Sequence, residues 1–227
     1  MHSKTDFYID GGWVKAHSNQ TLPVINPTTE EAIETISLGD EVDLNLAVAA
    51  AKKAQTAWAE TPVAERKASL ERLLEIYKSK MNDMAEAISS EMGAPISLAQ
   101  TAQAGAGYGH LRQTIKTLET FDFVSQVTKK DGVDNVFHEA VGVVGLITPW
   151  NWPMNQVMLK VAPALAAGCS VVLKPSEIAP LSSMLLAEMI DEAGFPNGVF
   201  NLVNGDGAGV GTWLTKHPDV AAISFTG

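Results

Sequence analysis

The second half of the chain alternates short apolar runs with longer segments whose apolar residues recur at helical spacing. The four runs are almost wholly apolar, a pattern typical of strands buried on both faces of a sheet. The segments between them end at Gly168, at Gly194 and before Pro218, where helices commonly stop. The alternation predicts a β-α-β-α-β-α-β unit, a parallel sheet with right-handed crossovers. The predicted strands span 142–148, 170–174, 199–203 and 221–225, and the predicted helices span 154–167, 180–193 and 208–216.

The first half of the chain predicts a small β leader followed by three helices. Two apolar stretches, 7–14 and 22–36, are interrupted by turn residues and form the leader. The first helix begins after Asp40, a typical N-cap, and Pro62 starts the second. The third covers 96–121. The apolar positions at helical spacing are Val42, Leu46, Ala49 and Trp58 in the first helix, and Leu70, Leu73, Leu74, Tyr77, Met81, Met84 and Ile88 in the second.

Between the two halves, residues 123–128 and 135–140 predict a β-hairpin closed across 129–132, which contains the favoured turn pair Asp-Gly. A two-stranded ribbon is marginal alone, so we expect the hairpin to lie against another surface, such as another subunit. The predicted fold is α/β, with a parallel Rossmann-like sheet and flanking helices, an N-terminal β leader with helices, and a protruding hairpin of oligomerisation type. The corresponding domains are 1–122, 123–140 and 141–227.

Composition limits the classes of function. The 227 residues are 46% hydrophobic and 19% charged, as in an ordinary globular protein. A formal net charge of -10 argues against a nucleic-acid surface, which needs clustered Lys and Arg. No stretch has the roughly 18 apolar residues of a membrane span, and the N-terminus has no signal-peptide pattern, so we expect a cytoplasmic protein without a membrane or nucleic-acid partner. The single cysteine, Cys169, fits a reducing compartment.

Asn151 is the first candidate for chemistry because of its position and its neighbours. It follows the strand 142–148 and lies between Pro149-Trp150 and Trp152-Pro153. In a parallel sheet the ligand site lies at the carboxyl ends of the strands. An amide held there by rigid neighbours is suited to stabilise an oxyanion. The alternative is a simple turn residue, since asparagine is common in turns.

Two further groups follow strand ends. Lys174 and Glu177 offer a donor and an acceptor for the hydroxyls of a ribose, although alone they would form an ordinary surface ion pair. The glycines from Gly205 to Gly211 would let backbone N–H groups approach a pyrophosphate, or form only a flexible loop. They match neither G-x-G-x-x-G, because Val210 takes the place of the last glycine, nor a Walker-type loop. The five histidines have no ligand-like spacing, so we expect no metal site.

Taken in order, the motifs at these strand ends resemble those of the NAD(P)-dependent aldehyde dehydrogenase superfamily. The resemblance covers nearly the whole chain and rests on several motifs at consistent spacing. These motifs are Tyr8-Ile9-Asp10-Gly11, Asn26-Pro27-Thr28-Thr29, Pro149-Trp150-Asn151-Trp152-Pro153 with the downstream Lys160, Lys174-Pro175-Ser176-Glu177, Gly205-Asp206-Gly207-Ala208-Gly209-Val210-Gly211 and Phe225-Thr226-Gly227.

The resemblance implies a role for each matched residue. Asn151 would hold the oxyanion of the thiohemiacetal formed when a cysteine thiolate attacks the aldehyde. Lys174 and Glu177 would hold the adenosine ribose, and a glutamate there repels a 2′-phosphate, so the expected cofactor is NAD, with NADP the alternative. Lys160 lies near the family's proton-relay region. The other implied cofactor-binding residues are Thr148, Pro149, Trp150, Ser176, Gly207, Gly211, Phe225, Thr226 and Gly227, and the implied lining of the aldehyde tunnel is Trp152, Gln156 and Leu159.

The chain departs from the family pattern after Gly227. Relatives continue with a general-base glutamate and the nucleophilic cysteine, so the chain resembles the N-terminal portion of such an enzyme and is expected to be inactive alone. Cys169 lies at the end of the sheet opposite Asn151, and we expect it to be a packing residue. The expected whole protein oxidises an aldehyde to a carboxylic acid with NAD(P), as a homo-oligomer. The alternative is a non-catalytic dinucleotide-binding or subunit-association module.

Overall fold

The computed structural model describes residues 3–129 and 132–227, which form ten strands and eight α-helices. The strands are β1 (Asp6–Ile9), β2 (Gly12–Lys15), β3 (Thr21–Asn26), β4 (Glu31–Ser37), β5 (Val124–Lys129), β6 (Gly132–Phe137), β7 (Val143–Ile147), β8 (Ser170–Lys174), β9 (Phe200–Leu202) and β10 (Ala222–Phe225). The helices are α1 (Glu41–Glu60), α2 (Val63–Ser79), α3 (Met81–Met92), α4 (Ile96–Leu98), α5 (Ala104–Leu118), α6 (Pro153–Ala166), α7 (Leu181–Glu192) and α8 (Thr212–Lys216), with π-helical turns at Ala99–Gln103 and Gly207–Gly211.

A six-stranded sheet with the order β10-β7-β8-β9-β1-β2 forms the centre of the fold. The strands β7 to β10 are parallel, as the alternating pattern predicted. Val144 and Leu146 of β7 pack in the core shared with α6 and α7, whereas Val143 and Ile147 pack with α1 and α8. Because both faces are covered, β7, β8 and β9 are buried along their whole length. The same prediction is wrong for β10, an edge strand that is mostly exposed.

The N-terminal leader joins the main sheet. β1 pairs antiparallel with β2 and, through Tyr8 opposite Leu202, with β9. The turn between β1 and β2 needs a glycine, because Gly11 has φ 78° and a Cβ on it would lie 2.2 Å from Asn197 Oδ1. β3 and β4 form a separate two-stranded sheet. The strands of the leader were predicted, their partition between two sheets was not, and the three-domain division stays a prediction.

α1 begins at the predicted N-cap. Asp40 Oδ1 accepts from the N–H groups of Val42 and Asp43 at 2.9 and 3.1 Å, and the Asp43 carboxylate accepts in return from Asp40 N, which completes a capping box. The buried face differs from the predicted one, since Val42 and Leu46 are 45% and 54% exposed. Small side chains let the helix lie close to the sheet, so the alanine-rich face is buried. That face carries Leu44, Ala47, Val48, Ala50, Ala51 and Trp58.

The second predicted helix is two helices, α2 and α3. They are separated at Lys80, whose φ of -103° and ψ of 20° leave the helical region. The apolar period continues across this break, so a pattern of buried positions alone does not reveal it. The predicted positions that are fully buried are Leu70, Leu73, Tyr77, Met84 and Ile88.

The third predicted helix ends at Leu118 rather than at Phe121 and contains the π-helical turn Ala99–Gln103. Its Gly107 allows a close approach to α2, because a Cβ there would lie 2.5 Å from Tyr77 Oη. Tyr77 Oη donates to Ala104 O at 2.9 Å, which joins the two helices in the core.

β5 and β6 form the predicted hairpin as a two-stranded sheet of their own. Their innermost pair is Lys129 opposite Gly132, and the predicted turn residues Lys130 and Asp131 lie outside the described residues. Almost every residue of the two strands is exposed. The hairpin therefore projects from the rest of the described chain.

Candidate cofactor and active site

The order of the central sheet reverses at β7. β8 and β9 follow on one side of β7, while β10 lies on its other side. The chain leaves β7 through α6 on one face of the sheet and reaches β10 through α8 on the other face. An α/β sheet usually binds its ligand in a crevice at such a reversal, so we take the region beside the carboxyl ends of β7 and β10 as the candidate crevice. We call the side of the sheet formed by the carboxyl ends of β7 to β10 the carboxyl edge, and the opposite side the amino edge.

Thr148 lies in this crevice, directly after β7. Its N–H donates to Lys174 O at 3.3 Å, which ties the end of β7 to β8. The residue is 4% exposed, yet its Oγ1 has no hydrogen-bond partner among the described residues. An unpaired buried hydroxyl is unfavourable, so a ligand that bonds to it would relieve that cost.

Asn151 lies at the start of α6, at the same edge. Trp152 is the N-cap, with φ -143° and ψ 71°, and Pro153 is the first helical residue. Asn151 is exposed, and its side chain bonds to no described residue. The flanking Trp150 and Trp152 are themselves 50% and 37% exposed. The amide donors of Asn151 are therefore available to a ligand.

Lys160 connects α6 to β10. Its ammonium donates to Ser224 Oγ at 3.0 Å, and the residue is only 7% exposed. Burial lowers the pKa of the Lys160 ammonium. A lysine with one neutral partner and a lowered pKa is suited to exchange a proton. Ser224 was missed, because a serine within an apolar strand gives no signal until its sheet neighbour is known.

Lys174 ties together the loops that follow β8 and β9. Its side chain is 4% exposed, and its ammonium donates to Pro175 O at 3.0 Å and to Gly205 O at 2.6 Å. The third bond goes to Glu177 Oε2 at 3.1 Å. The three ammonium protons thus have acceptors inside the chain. Lys174 orients Glu177. The Glu177 side chain is 29% exposed, so its carboxylate is the more accessible group of this ion pair.

The side chain of Asp206 closes the glycine turn after β9. Asp206 Oδ1 accepts from Gly209 N at 2.6 Å at the start of the turn Gly207–Gly211. A negative charge there disfavours a phosphate at the same N–H groups. Gly205 has no room for a side chain, since a Cβ on it would lie 2.3 Å from Val210 Cγ2.

Gly207 and Gly211, the glycines expected to pack against a cofactor, differ in their surroundings. A Cβ on Gly211 would lie 3.7 Å from Lys174 Cδ, an ordinary contact, whereas one on Gly207 would face open space. Gly207 therefore leaves room for a ligand beside the turn, while Gly211 packs against the buried lysine.

The remaining expected cofactor residues lie at the same edge. Thr226 N donates to Ile147 O at 3.1 Å, so Phe225, Thr226 and Gly227 lie beside the end of β7. Phe225 is 65% exposed. Ser176 is buried, and its Oγ accepts from Ile178 N at 3.2 Å, so it shapes its own loop. Pro149 is half-buried.

The expected tunnel residues Trp152, Gln156 and Leu159 lie on one face of α6, since they are spaced at single helical turns. Leu159 lines a cavity of about 370 Å³ between α5, α6 and the base of the hairpin. His110 lines the same cavity and bonds through Nε2 to Asn155 Oδ1 at 2.8 Å. Leu159 is roughly 10 Å along α6 from the candidate crevice. The tunnel itself stays a prediction.

Glu91 is a buried carboxylate that the sequence did not single out. It is 1% exposed and accepts from Leu181 N at 2.5 Å and from Ser182 N at 3.2 Å. Burial raises the pKa of Glu91 to about 7, although these N–H donors oppose the rise. No local pattern identifies it, because its partners are 90 residues further along the chain.

Three observations concern chemistry outside the crevice. Cys169 is a buried free thiol at the amino edge, away from Asn151. Among residues 3–129 and 132–227, no group of three or more His, Cys, Asp or Glu side chains could hold a metal ion. No helix in those ranges is long and apolar enough to cross a bilayer.

The fold and the carboxyl edge define an α/β protein with a ligand crevice at a sheet reversal, and comparison with known proteins gives its family. The model of the aldehyde dehydrogenase family matches residues 13–227. The chain therefore belongs to the aldehyde dehydrogenase family, as its motifs predicted, and corresponds to the N-terminal portion.

Individual relatives agree with this assignment. A 3-succinoylsemialdehyde-pyridine dehydrogenase from a Pseudomonas species is 50% identical over 228 residues, which cover 100% of this chain and 47% of the relative. The crystal structure of an aldehyde dehydrogenase from Bartonella henselae has a TM-score of 0.96 at 53% identity, covering 99% of this chain and 47% of that one. A Pseudomonas syringae aldehyde dehydrogenase C mutant in complex with NAD+ and octanal has a TM-score of 0.93 at 43% identity, covering 97% of this chain and 45% of that one. The chain thus spans about half the length of the proteins it matches.

Proposed function

We propose that the protein containing this chain oxidises an aldehyde to a carboxylic acid with NAD, and that this chain supplies the oxyanion donor and much of the cofactor cleft. The observation that carries the proposal is the exposed amide of Asn151, which bonds to no described residue at the crevice where the sheet reverses. Membership of the aldehyde dehydrogenase family supports the reaction class. The aldehyde itself is left open, since the named relatives act on or bind different aldehydes.

The residues at the carboxyl edge fit a dinucleotide. Thr148 Oγ1 is a buried hydroxyl without a partner in the described chain, and Glu177 holds a partly exposed carboxylate aligned by Lys174. A carboxylate accepts hydrogen bonds from ribose hydroxyls and repels a 2′-phosphate, which favours NAD over NADP. Bound at these residues, NAD would supply the acceptor for the hydride of the aldehyde carbon. The crystal complexes of relatives from Pseudomonas syringae and Bacillus cereus contain NAD+ and support the same choice.

In the proposed reaction Asn151 acts when a cysteine thiolate from outside this chain adds to the carbonyl carbon. The carbonyl oxygen gains negative charge, and the Asn151 amide donates to it. A donor that is already in place needs no reorganisation as the charge develops, which is why such groups lower the barrier. Lys160, with its lowered pKa and single neutral partner, is the residue proposed to pass a proton near β10. Water then releases the acid from the acyl-cysteine.

Asn151→Ala tests the oxyanion role in the natural polypeptide that contains these residues. We expect kcat to fall by about 10²–10³, because one oxyanion donor is lost, while the Kd for NAD stays unchanged. Asn45→Ala removes another exposed asparagine, on α1, and controls for the substitution itself. A kcat within a few-fold of the parent would refute the assignment of Asn151.

Glu177→Gln tests the cofactor assignment. Losing the negative charge is expected to strengthen NADP binding relative to NAD by about tenfold, because repulsion of the 2′-phosphate is removed. The matched control is Glu188→Gln on α7, whose side chain is 28% exposed in an ion pair with Lys4 and lies beyond the loop after β8. If the Kd for NADP divided by the Kd for NAD is the same in the parent and in Glu177→Gln, Glu177 does not contact the ribose.

We also propose that the protein is a homo-oligomer in a reducing compartment such as the cytoplasm. The projecting hairpin offers apolar side chains at an exposed ribbon, and Cys169 is a free thiol. Val127→Asp and Val133→Asp, both on exposed apolar positions of the hairpin, are expected to lower the molar mass measured by light scattering. An unchanged mass would place the interface elsewhere.

A further inference from the structure

The start of α7 has no side-chain cap of its own. Pro180 precedes the helix and makes no side-chain bond to it. The first N–H groups of a helix have no partner within the helix and carry partial positive charge, so they need an acceptor. Glu91 supplies it: Oε2 accepts from Leu181 N at 2.5 Å, and Oε1 accepts from Ser182 N at 3.2 Å. The cap of α7 therefore comes from another helix.

Glu91 is held on a rigid base. It is the second-last residue of α3, and α3 ends at Gly93 in the left-handed conformation with φ 77°. A Cβ on Gly93 would lie 2.7 Å from Pro27 Cγ, so this end packs tightly against the leader. Ser89 Oγ donates to Ala94 O at 2.7 Å and closes the end of the helix.

The capped end of α7 is also the outgoing end of the loop that carries Glu177. This loop, 175–180, follows Lys174, the last residue of β8, and has a proline at each end. Its internal bonds converge on Ser176, whose Oγ and carbonyl accept from the N–H groups of the two residues after Glu177. The loop is thus fixed by β8 on one side and by α7 on the other, and Glu177 lies four residues before Leu181.

We propose that Glu91 is a positioning residue for the cofactor ribose, which acts by capping α7 and so holding the Glu177 loop at the carboxyl edge. This inference rests on the proposed contact between Glu177 and the ribose. It predicts that a carboxylate on α3, without touching the cofactor, sets both the affinity for NAD and the discrimination against NADP. The other buried carboxylate cap, Asp43 on α1, holds a different turn, since it accepts from His17 N at 2.7 Å and from Ser18 N at 3.2 Å.

The test compares Glu91→Gln with Asp43→Asn in the natural polypeptide that contains these residues. Each removes the charge of a buried carboxylate that accepts two or more backbone N–H bonds. We expect Glu91→Gln to raise the Kd for NAD by about tenfold, because a weakened cap frees the loop. The Kd for NADP and the Kd for NAD should also become more similar. Asp43→Asn should lower Tm comparably and leave both binding values unchanged.

A double variant separates this inference from the proposed function. If Glu91 acts through Glu177, adding Glu91→Gln to Glu177→Gln causes no further change in the ratio of the Kd for NADP to the Kd for NAD. If Glu177→Gln alone leaves the ratio unchanged, the proposed ribose contact fails, and the inference fails with it. If Glu177→Gln shifts the ratio but Glu91→Gln lowers only Tm, the positioning role alone is overturned. Glu91→Asp, which keeps the charge on a shorter side chain, gives the same comparison should Glu91→Gln fail to fold.

Discussion

The two edges of the central sheet differ in that unpaired buried side-chain atoms lie at the carboxyl edge, although Lys174 there is fully bonded. At the amino edge, Gln55 Oε1 accepts from Ser170 N and Ser170 Oγ at 2.6 and 2.8 Å, and its amide donates to Gly168 O at 3.0 Å. At the carboxyl edge, Thr148 Oγ1 and Asn204 Oδ1 are buried without a partner among the described residues. The same strands form both edges, so the difference does not come from burial of the strands.

Residues that stabilise the fold differ from residues available to a ligand in whether their polar groups are bonded within the chain. A buried polar group that is bonded within the chain contributes to stability, whereas an unbonded one costs free energy in the unliganded protein. Asn151 extends the contrast to the surface, since its amide is exposed and bonds to no described residue. We infer that substitutions at the amino edge change stability, and that substitutions at the carboxyl edge change binding or catalysis.

Arg66→Met at the amino edge should cause the greatest loss of stability. Arg66 is 4% exposed and donates to Ala166 O at 3.0 Å, at the carbonyl end of α6. It also donates to Ala59 O and Thr61 O at the end of α1, at 3.3 and 2.6 Å. Loss of these charged bonds should lower the free energy of unfolding by about 3 kcal/mol. Chemical denaturation measures this loss.

The adjacent Lys67→Met is the control for Arg66→Met. Lys67 forms surface ion pairs with Glu71 and Glu119 at 3.3 and 3.0 Å, and such solvent-screened pairs contribute little to stability. The Kd for NAD of the folded fraction should stay unchanged in both variants. A large rise in this Kd for Arg66→Met, with little loss of stability, would reverse the assignment of the two edges.

Much of the fold was predictable because its signals are local. The runs that became β7, β8 and β9 are apolar since both faces of the sheet are covered, and Asp40 caps α1 through bonds to residues two and three positions away. The buried face of α1 was not predicted, because packing close to a sheet selects small side chains such as Ala47 over the larger Leu46.

The unpredicted features depend on residues far apart in sequence. The pairing of β1 with β9 joins Tyr8 to Leu202, and the cap of α7 joins it to Glu91. The candidate site was partly predictable, since strand ends identify Thr148 and Asn151 as residues of the carboxyl edge. Their lack of partners was not, because only the packed structure fixes which buried groups remain unbonded.

Glu91 is a bonded carboxylate at the carboxyl edge whose burial in the charged form is unfavourable. Its pKa rises from 4.5 to about 7 on folding, so the folded protein binds more protons than the unfolded chain between these values. The free energy of unfolding contributed by Glu91 is therefore highest at low pH, falls as pH rises through this window, and is level above it. Glutamine does not titrate, so the stability of the parent relative to Glu91→Gln should fall with rising pH by up to a few kcal/mol.

Denaturant unfolding of the parent and Glu91→Gln at about pH 5 and about pH 8 measures this difference. Glu86→Gln, on the exposed face of the same helix, corrects for the change in net charge. A stability difference independent of pH would mean that the N–H groups of Leu181 and Ser182 offset the burial of Glu91 completely.

Thr148 and Ser170 each carry a hydroxyl, one at each edge of the sheet, and removing either should change stability and binding only slightly. Thr148→Val removes a buried Oγ1 without a partner in the described chain, so the free energy of unfolding should stay level or rise slightly. Ser170→Ala removes a hydroxyl bonded to Gln55 at 2.8 Å and should lower it by about 1 kcal/mol. The order reverses for binding: Thr148→Val should raise the Kd for NAD by about threefold, because a bond to the cofactor is lost, and Ser170→Ala should leave it unchanged. If both variants lose stability equally and bind NAD alike, the unpaired hydroxyl of Thr148 has no part in the crevice, and the contrast between the edges reduces to Asn151.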